Sequence, residues 1–377
     1  MLFKIIFFIS GFMIFWAMVG YPLSIKLLGK CITRKNDKNY DLKPTVTLMI
    51  VAHNEESVIL SKLKNAISLN YPKDKLKILV SSDNSTDRTN SIVLNFIKDN
   101  PGENISLYVV KERKGKTNAQ NEAQKIVDTE FLVMTDANSI LEKNSVSELM
   151  ASFTSENIAY VTGCLKYINS NENLTAQSES SYWDSDVIIR DIESRIKTIT
   201  AGNGALYAIR NKDYYDIPLI ECHDSTMPLD FGLQGKRCIN NLDAIAYEKA
   251  GEVNGDEFKR KVRMNRVLII LLKKGIRVLN IVKYGWFSYF YFGHRICRYL
   301  LWLNHILFYL TSLILMKENI IYLIMFVLQT LFFVVGLFGG VRMVNYYLMT
   351  ILAQMKAIYN YISGNAKPIW EKAESTR

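Results

Sequence analysis

Two oxygen-bearing side chains follow a short apolar run in the middle of the chain. The run FLVMTD ends at Asp136, and Asn138 comes two residues later. At the end of a buried strand, this pair could hold a hard divalent cation together with the oxygens of a diphosphate. The same residues could instead form an Asx turn before a helix that starts near Asn144. Two neighbouring motifs favour the first interpretation.

These two motifs carry charged side chains of complementary kinds. SSDNSTDRT holds Asp83, whose carboxylate can hydrogen-bond a ribose or a base edge. KERKGKTNAQN holds Arg113, Lys114 and Lys116 around Gly115, and lysines in a glycine-containing turn at a helix N-terminus suit phosphate groups. Acidic and basic groups of this kind predict a site for a ligand with a sugar or base and with phosphates.

The elements that must position these residues are predicted strands. Four short runs rich in β-branched residues alternate with polar stretches of helical period: 45–52, 76–82, 105–110 and 131–136. Such alternation predicts βαβ units and a mostly parallel sheet. Ligands of such sheets bind beyond the carboxyl ends of the strands, where His53, Asp83 and Asp136 are expected.

In this order the motifs resemble those of the family 2 glycosyltransferases, inverting nucleotide-sugar enzymes, and in particular their membrane-bound bacterial members. The matching segments are VTLMIVAHNEE, VSSDNSTDRT, KGKTNAQN, VMTDANS, YWDSDVIIRDIES and GNGALYAIR. The resemblance covers about residues 44–266 and extends more loosely through the C-terminal apolar segments. It implies an α/β fold with a Rossmann-like GT-A catalytic domain, to which transmembrane and interfacial helices are added.

The resemblance also implies roles for individual residues. The nucleotide-sugar would be bound by Ala52, His53, Glu55, Asp83, Lys116 and Asp136. Lys116 would lie near the diphosphate, and Asp136 with Asn138 would hold Mg²⁺ or Mn²⁺. Asn138 stands where the family usually has a second Asp, and an amide oxygen coordinates a hard cation without contributing charge.

The segment HDSTMPLD lies where the family carries its pair of catalytic acids. This alignment makes Asp224 the general base, a role that contributes ~10²–10⁴-fold to a rate. Asp230, on the same predicted helix, is the alternative. His223 replaces the first acid of the pair, and we expect it to pack against or tune its neighbours.

A basic segment over 259–298 mixes lysines and arginines with apolar residues at helical spacing, which predicts interfacial amphipathic helices. Arg260 or Arg263 could bind a diphosphate or lipid phosphate on the acceptor side, or they could belong to a solvated or lipid-facing basic face. KRKVR stands where processive relatives carry Gln-x-x-Arg-Trp, which argues against long-chain polymerisation.

Apolar residues collect near both ends of the chain. Residues 1–29 predict an uncleaved transmembrane anchor, and 299–342 predict a transmembrane hairpin interrupted only by KEN. Lysines and arginines flank these segments on the sides that would face the cytoplasm. The catalytic domain, 44–258, is therefore expected in the cytoplasm, and the protein is expected in the plasma (inner) membrane. The remainder, 343–377, is expected to form an interfacial helix and a cytoplasmic tail. Residues 345–362 could instead cross the membrane.

Composition agrees with a membrane protein of a reducing compartment. The net charge is +10, and the basic residues gather beside apolar segments, which indicates membrane lipids rather than nucleic acid as a partner. Five cysteines show neither metal-ligand nor disulfide spacing.

These interpretations predict a metal-dependent glycosyltransferase of the hexosyltransferase type. It would move a sugar from a nucleotide-sugar, a UDP-sugar above all, to a membrane-held acceptor such as a lipid-linked glycan, in cell-surface polysaccharide synthesis. Two alternatives stay open: a processive polysaccharide synthase, and a non-catalytic partner with the GT-A fold, suggested by Asn138 and His223.

Overall fold

The computed structural model describes residues 1–32, 34–168, 174–249, 254–338 and 341–369. The chain divides into a sheet unit, Ile32–Glu252 with Lys367–Arg377, and a helical unit, Met1–Cys31 with Val253–Ala366. The predicted boundary at residues 258 and 259 falls inside a helix that spans Asn254–Met264.

Strands and helices alternate through the sheet unit, whereas the helical unit is built from helices. The strands are β1 Val46–Ala52, β2 Leu76–Ser82, β3 Ile105–Val109, β4 Phe131–Asp136, β5 Ile140–Leu141, β6 Ile158–Tyr167, β7 Leu206–Arg210 and β8 Arg237–Glu248. The α-helices are α1 Leu2–Phe15, α2 Tyr21–Cys31, α3 Ile59–Ile67, α4 Thr89–Asp99, α5 Lys116–Gln124, α6 Ser145–Ala151, α7 Leu174–Ile196, α8 His223–Leu233, α9 Asn254–Met264, α10 Leu268–Gly275, α11 Ile281–Tyr284, α12 Trp286–Phe290, α13 Cys297–Tyr299, α14 Leu301–Leu315, α15 Ile320–Phe338 and α16 Arg342–Ile362. Short 3₁₀ and π segments join several of them.

The strands form one sheet in the order β3-β2-β1-β4-β7-β6-β8-β5. The four predicted strands, β1 to β4, pair in parallel and lie within one residue of their predicted bounds. Beyond β4 the pairing is mixed, because β7 runs antiparallel to both β4 and β6 while β6 and β8 are parallel. The α/β class, with a sheet that is parallel over β1 to β4, is thus confirmed.

Strand β1 is buried on both faces, which explains why it is a continuous apolar run rather than an alternating one. Leu48 and Ile50 enter one core, and Met49 and Val51 enter the other. Successive side chains of a strand point to opposite faces, so helices on both sides are needed to cover β1.

The helical unit contains two helices that are long and apolar enough to cross a membrane, or three if a bent pair is one span, among the described residues. One is the continuous helix Leu2–Cys31, which includes a π-turn, and the other is α15. The first helix of the predicted hairpin is shorter than expected. It is only 15 residues long as α14, and it meets the segment Trp286–Tyr299 at 65°.

The basic segment is helical from 254 to 279, where 3₁₀ turns join and follow α9 and α10. Shorter helices follow Asn280, and Gly285, with φ of 54°, separates α11 from α12. This left-handed backbone favours glycine and ends a right-handed helix. Helix α16 covers the predicted helix at 345–362 and is not among the helices apolar enough to cross a membrane. Its residues Ile351, Ala353 and Ala357 are buried inside the helical unit.

Candidate active site

The predicted strand-end residues of the sheet unit meet on one rim. In the parallel register Ala52 lies beside Ser82, and Val51 lies beside Asp136. His53 and Asp83 are the next residues of β1 and β2, so the ends of three neighbouring strands bring these side chains together. This arrangement is the one that the βαβ pattern predicts.

The turn after β1 is tied to the turn after β2. His53 Nδ1 lies 2.8 Å from the Asp83 carbonyl oxygen, and burial, with Arg113 nearby, lowers the pKa of His53 and keeps the ring neutral. Asn54 adopts the left-handed conformation, with φ of 55°, and its side-chain oxygen accepts the Thr86 N–H at 2.8 Å. Glu55 is buried, and its N–H donates to the Thr89 hydroxyl at 2.8 Å.

Asp83 connects β2 to the glycine–lysine turn. Its carboxylate is buried and accepts the backbone N–H groups of Lys114 at 3.1 Å and Gly115 at 2.9 Å. Gly115 has φ of 102°, and a Cβ there would lie 2.6 Å from the Pro368 carbonyl oxygen, so only glycine fits. In this structure Asp83 holds the turn in place, and the sequence did not predict that the chain near Pro368 packs on it.

Three charged side chains converge beside Gly204. Lys116, the first residue of α5, pairs through Nζ with an Asp136 carboxylate oxygen. A Cβ on Gly204 would lie 3.3 Å from Lys116 Nζ, 3.8 Å from an Asp224 carboxylate oxygen and 4.0 Å from an Asp136 carboxylate oxygen. The two candidate functional carboxylates and the candidate phosphate-binding ammonium therefore surround one small space.

Asp224 and Asp230 both lie on α8 but have different surroundings. Asp224 borders the space beside Gly204, and its carbonyl oxygen accepts the Gly202 N–H at 2.7 Å. Asp230 accepts a hydrogen bond from the Tyr215 hydroxyl at 2.9 Å. Of the two candidate bases, the structure places Asp224 with Lys116 and Asp136.

His223 is a packing residue in this structure. It is 1% exposed, and its Nε2 lies 2.8 Å from the Tyr214 hydroxyl and 3.1 Å from the Asn121 side-chain oxygen. Burial, with Lys116 as a second cause, lowers its pKa to about 3, so the ring is neutral at physiological pH.

The candidate cation site has few protein ligands. Asp136 and Asn138 belong to the turn after β4, and the described residues contain no group of three or more His, Cys, Asp or Glu side chains that could hold a metal ion. A carboxylate and an amide oxygen fit a hard cation that takes its other ligands from phosphate oxygens and water, as Mg²⁺ commonly does.

Arg260 and Arg263 lie on α9 of the helical unit. The Arg260 guanidinium is engaged by Glu257, with N···O distances of 2.7 and 3.1 Å. Glu257 is buried, so its carboxylate is shielded from water and Arg260 supplies the compensating positive charge. The assignment of Arg260 or Arg263 to a diphosphate or lipid phosphate on the acceptor side stays a prediction.

Sequence reasoning did not single out the two glycines that shape the site. Gly202 and Gly204 belong to the GNGALYAIR motif, but no composition signal distinguishes them from turn glycines. A Cβ on Gly202 would lie 2.1 Å from the hydroxyl of the buried Tyr160. The close approach of Tyr160, which only the fold reveals, requires glycine at 202, whereas a Cβ at 204 would meet the flexible end of Lys116 at 3.3 Å.

The chain is similar to known proteins both in sequence and in fold. Residues 47–216 match the family model described as Glycosyl transferase family 2. The chain is 36% identical over 135 residues to the probable glycosyltransferase YdaM of Bacillus subtilis, covering 35% of this chain and 32% of the relative. It is 23% identical over 270 residues to a poly-beta-1,6-N-acetyl-D-glucosamine synthase of Staphylococcus aureus, covering 69% and 64%. These matches span between about one third and two thirds of the relatives' own lengths.

A solved structure with similar architecture is that of a mannosyltransferase from Pyrobaculum calidifontis in complex with GDP-Man and Mn²⁺. It superposes with a TM-score of 0.72 at 18% sequence identity, covering 96% of this chain and 99% of that chain. At this level of identity the likeness concerns the fold, and it agrees with the GT-A architecture expected from the motifs.

Proposed function

We propose that this chain, which carries a glycosyl transferase family 2 domain over residues 47–216, transfers a sugar from a nucleotide-sugar to a membrane-held acceptor. The observation that carries the proposal is the convergence of Lys116, Asp136 and Asp224 around Gly204. An acid that can bind a cation, a basic group that can bind phosphate and a second acid are the groups that such a transfer requires, and they come from β4, α5 and α8.

In the proposed reaction the acceptor hydroxyl oxygen attacks the anomeric carbon of the donor. Its proton passes to the Asp224 carboxylate, while the bond from the anomeric carbon to the diphosphate oxygen breaks and the diphosphate leaves with the electron pair. In-line attack of this kind inverts the anomeric configuration. The Lys116 ammonium would stabilise the negative charge that develops on the diphosphate.

Asp136 and Asn138 would hold Mg²⁺ or Mn²⁺, which would supply further charge stabilisation for the departing diphosphate. Asp136 already faces one cation, the Lys116 ammonium. The nucleoside would lie toward the turns after β1 and β2, where neutral His53 and the buried Asp83 link the two strands. We assign the donor to the UDP-sugars on the strength of the motif resemblance.

A membrane-held acceptor is supported by the helical unit and by the relatives. Leu2–Cys31 and α15 are apolar enough to cross a membrane. One relative, 24% identical over 168 residues, is a beta-monoglucosyldiacylglycerol synthase from Nostoc, whose name describes a glycolipid. The chain covers only 36% of that relative, so the lipid acceptor is part of the proposal.

The test is donor hydrolysis by the purified full-length protein. It should be incubated with UDP-glucose, UDP-galactose, UDP-N-acetylglucosamine and GDP-mannose, with and without Mn²⁺, and released nucleotide should be measured. We expect one UDP-sugar to be hydrolysed slowly and only with a divalent cation. Hydrolysis of GDP-mannose alone would overturn the donor class, and no hydrolysis of any donor would favour a non-catalytic partner.

A processive synthase is the second candidate, favoured by the match to the poly-beta-1,6-N-acetyl-D-glucosamine synthase over 69% of this chain. KRKVR in place of Gln-x-x-Arg-Trp argues against it. Product length decides between the two. Single-sugar addition to a lipid acceptor supports the first proposal, and a polymer formed from donor alone supports the second.

A further inference from the structure

A buried lysine on α3 has no role in the site described so far. The buried side of this helix consists of Ile59, Lys62, Leu63 and Ala66, and the exposed fraction of Lys62 is 0%. A lysine on the apolar face of a helix is costly unless its ammonium group finds hydrogen-bond acceptors and compensating negative charge. Lys62 finds both beside the candidate cation site.

The Lys62 ammonium group contacts the two residues that enclose the candidate ligands. Nζ donates to the Thr135 hydroxyl at 2.9 Å and to the Ser139 carbonyl oxygen at 2.5 Å. Thr135 directly precedes Asp136, and Ser139 directly follows Asn138. One lysine side chain thus ties together both ends of the turn that carries the proposed cation ligands.

The same face of α3 holds the chain further on. Asn65 lies three residues after Lys62, a spacing that puts both on one face of a helix. Its side-chain amide donates to the Leu141 carbonyl oxygen and accepts the Leu141 N–H, each at 2.8 Å. Lys62 and Asn65 therefore anchor the segment 135–141 at both ends.

Strand β8 holds this segment from another direction. The Ser139 hydroxyl bonds the Glu248 carboxylate, Ile140 pairs with Tyr247, and the Glu142 N–H donates to the Ile245 carbonyl oxygen at 2.9 Å. Burial lowers the pKa of Lys62 to about 7, while the negative charges of Asp136 and Glu248 act in the opposite direction. The contacts that hold Lys62 itself are those with Thr135 and Ser139.

We propose that Lys62 is a positioning residue for the cation site: through Thr135 and Ser139 it holds the turn in which Asp136 and Asn138 would bind Mg²⁺ or Mn²⁺. This inference rests on the proposed function. A site with only two protein ligands depends strongly on their preorganisation, because any freedom of the turn must be lost when the cation binds. Hydrogen bonds to the backbone and neighbours of metal ligands commonly govern affinity in this way.

The test compares two lysine-to-methionine variants of the full-length purified protein. Lys62→Met keeps an unbranched side chain one atom shorter than lysine and removes both hydrogen bonds, and Lys64→Met makes the same change at an exposed position of the same helix. Mn²⁺ affinity should be measured by electron paramagnetic resonance in the presence of UDP. We expect Lys62→Met to weaken Mn²⁺ binding ~10-fold or more and Lys64→Met to leave it unchanged.

Donor hydrolysis as a function of Mn²⁺ concentration separates positioning from general damage. If Lys62 positions the ligands, saturating Mn²⁺ should restore most of the rate of Lys62→Met. A rate that is lowered equally at every Mn²⁺ concentration, or an unchanged Mn²⁺ affinity, would overturn the inference. If Lys62→Met does not fold, Thr135→Val, which removes one of the two acceptors at nearly constant volume, should still weaken Mn²⁺ binding, and its failure to do so would refute the role of Lys62.

The two proposals fail in different ways. A wild-type protein that binds no Mn²⁺ and hydrolyses no donor contradicts the proposed function and, with it, the role of Lys62. A wild-type protein that is active and Mn²⁺-dependent, with Lys62→Met indistinguishable from Lys64→Met, contradicts only the role of Lys62.

Discussion

At the scale of residues, the site contrasts acids that hold the fold together with acids that face the candidate reaction space. Asp83 accepts two backbone N–H groups, and Asp230 accepts the Tyr215 hydroxyl. Asp136 pairs with Lys116, and the Asp224 carboxylate lies across the space beside Gly204. Acids of one chemical type can thus be assigned different roles by their surroundings.

The base assignment predicts different effects for the two acids of α8. Asp224→Asn keeps the shape of the side chain and removes the charge, so we expect the transfer rate to fall at least ~10²-fold. UDP affinity should change by less than about threefold, since a base contributes little to holding the donor. Steady-state kinetics and calorimetry with UDP measure the two quantities.

Asp230→Asn is the matched control, because it makes the same change on the same helix and alters the contact with Tyr215. We expect a milder loss of rate. A reversed order of effects would mean that Asp230 is the base, and full activity of both variants would place the base in another segment.

The amide at position 138 leads to a second prediction at this scale. Asn138→Asp adds a negative charge to a site where Asp136 is the carboxylate candidate, so Mn²⁺ should bind more tightly, by ~10-fold. Calorimetry measures the UDP affinity of wild type and variant, once with Mn²⁺ and once after chelation of the cation. Equal UDP affinity with and without the cation in both proteins would contradict a cation at this turn.

At the scale of elements, the site depends on where helices begin. α5 starts at Lys116 directly after the Gly115 turn, and α8 starts at His223 directly before Asp224. Each helix start thereby brings a charged side chain to the strand ends. The contacts of His223 with Tyr214 and Asn121 fix the start of α8 and, through it, the position of Asp224.

This anchoring predicts a pH dependence of stability. Because burial lowers the pKa of His223 from 6.5 to about 3, the unfolded chain takes up a proton between these values and the folded chain does not. Stability therefore falls as the pH drops below 6.5, at most by ~1.4 kcal/mol per pH unit from this residue.

The measurement is the unfolding temperature of the full-length protein in detergent between pH 7.5 and 5. His223→Gln should unfold at a lower temperature at pH 7.5 but lose less of its stability on acidification than wild type does. Parallel pH profiles for the two proteins would show that the neutral ring of His223 does not control acid stability.

At the scale of the whole molecule, the helical unit brings its first helix next to the turn between α14 and α15. Lys4, at the start of α1, forms an ion pair at 2.7 Å with Glu318, in the turn between α14 and α15. The rings of Phe7 and Phe308 stack with 4.6 Å between their centroids, and Gly11 allows α1 to approach the Phe308 ring closely. The start of the N-terminal helix and the α14–α15 turn therefore lie at the same end of this unit.

Topology supplies the prediction at this scale. In a variant without native cysteines, Lys317→Cys should react with a membrane-impermeant thiol reagent in intact cells, and Ser91→Cys, on the sheet unit, should react only after permeabilisation. Both positions are exposed, so a difference reports the side of the membrane. Labelling of Ser91→Cys in intact cells would place the sheet unit outside and refute the predicted topology.

The sequence alone determined the first four strands and the rim of charged residues at their carboxyl ends. Continuous apolar runs form strands buried on two faces, and polar residues at their carboxyl ends must meet once those strands pair in parallel. Local patterns sufficed for β1 to β4, and the run of apolar residues near the N-terminus predicted a helix long enough to cross a membrane.

Contacts between distant segments were decided only by the tertiary structure. The placement of Asp224 rather than Asp230 beside Lys116 and Asp136 depends on such contacts, because these three side chains come from separate segments of the chain. Lys62 is the clearest case, because a lysine among apolar residues on a helix carries no sign of which acceptors it will meet. Thr135 and Ser139 lie more than 70 residues away, and only packing of α3 on the sheet brings them within hydrogen-bond distance.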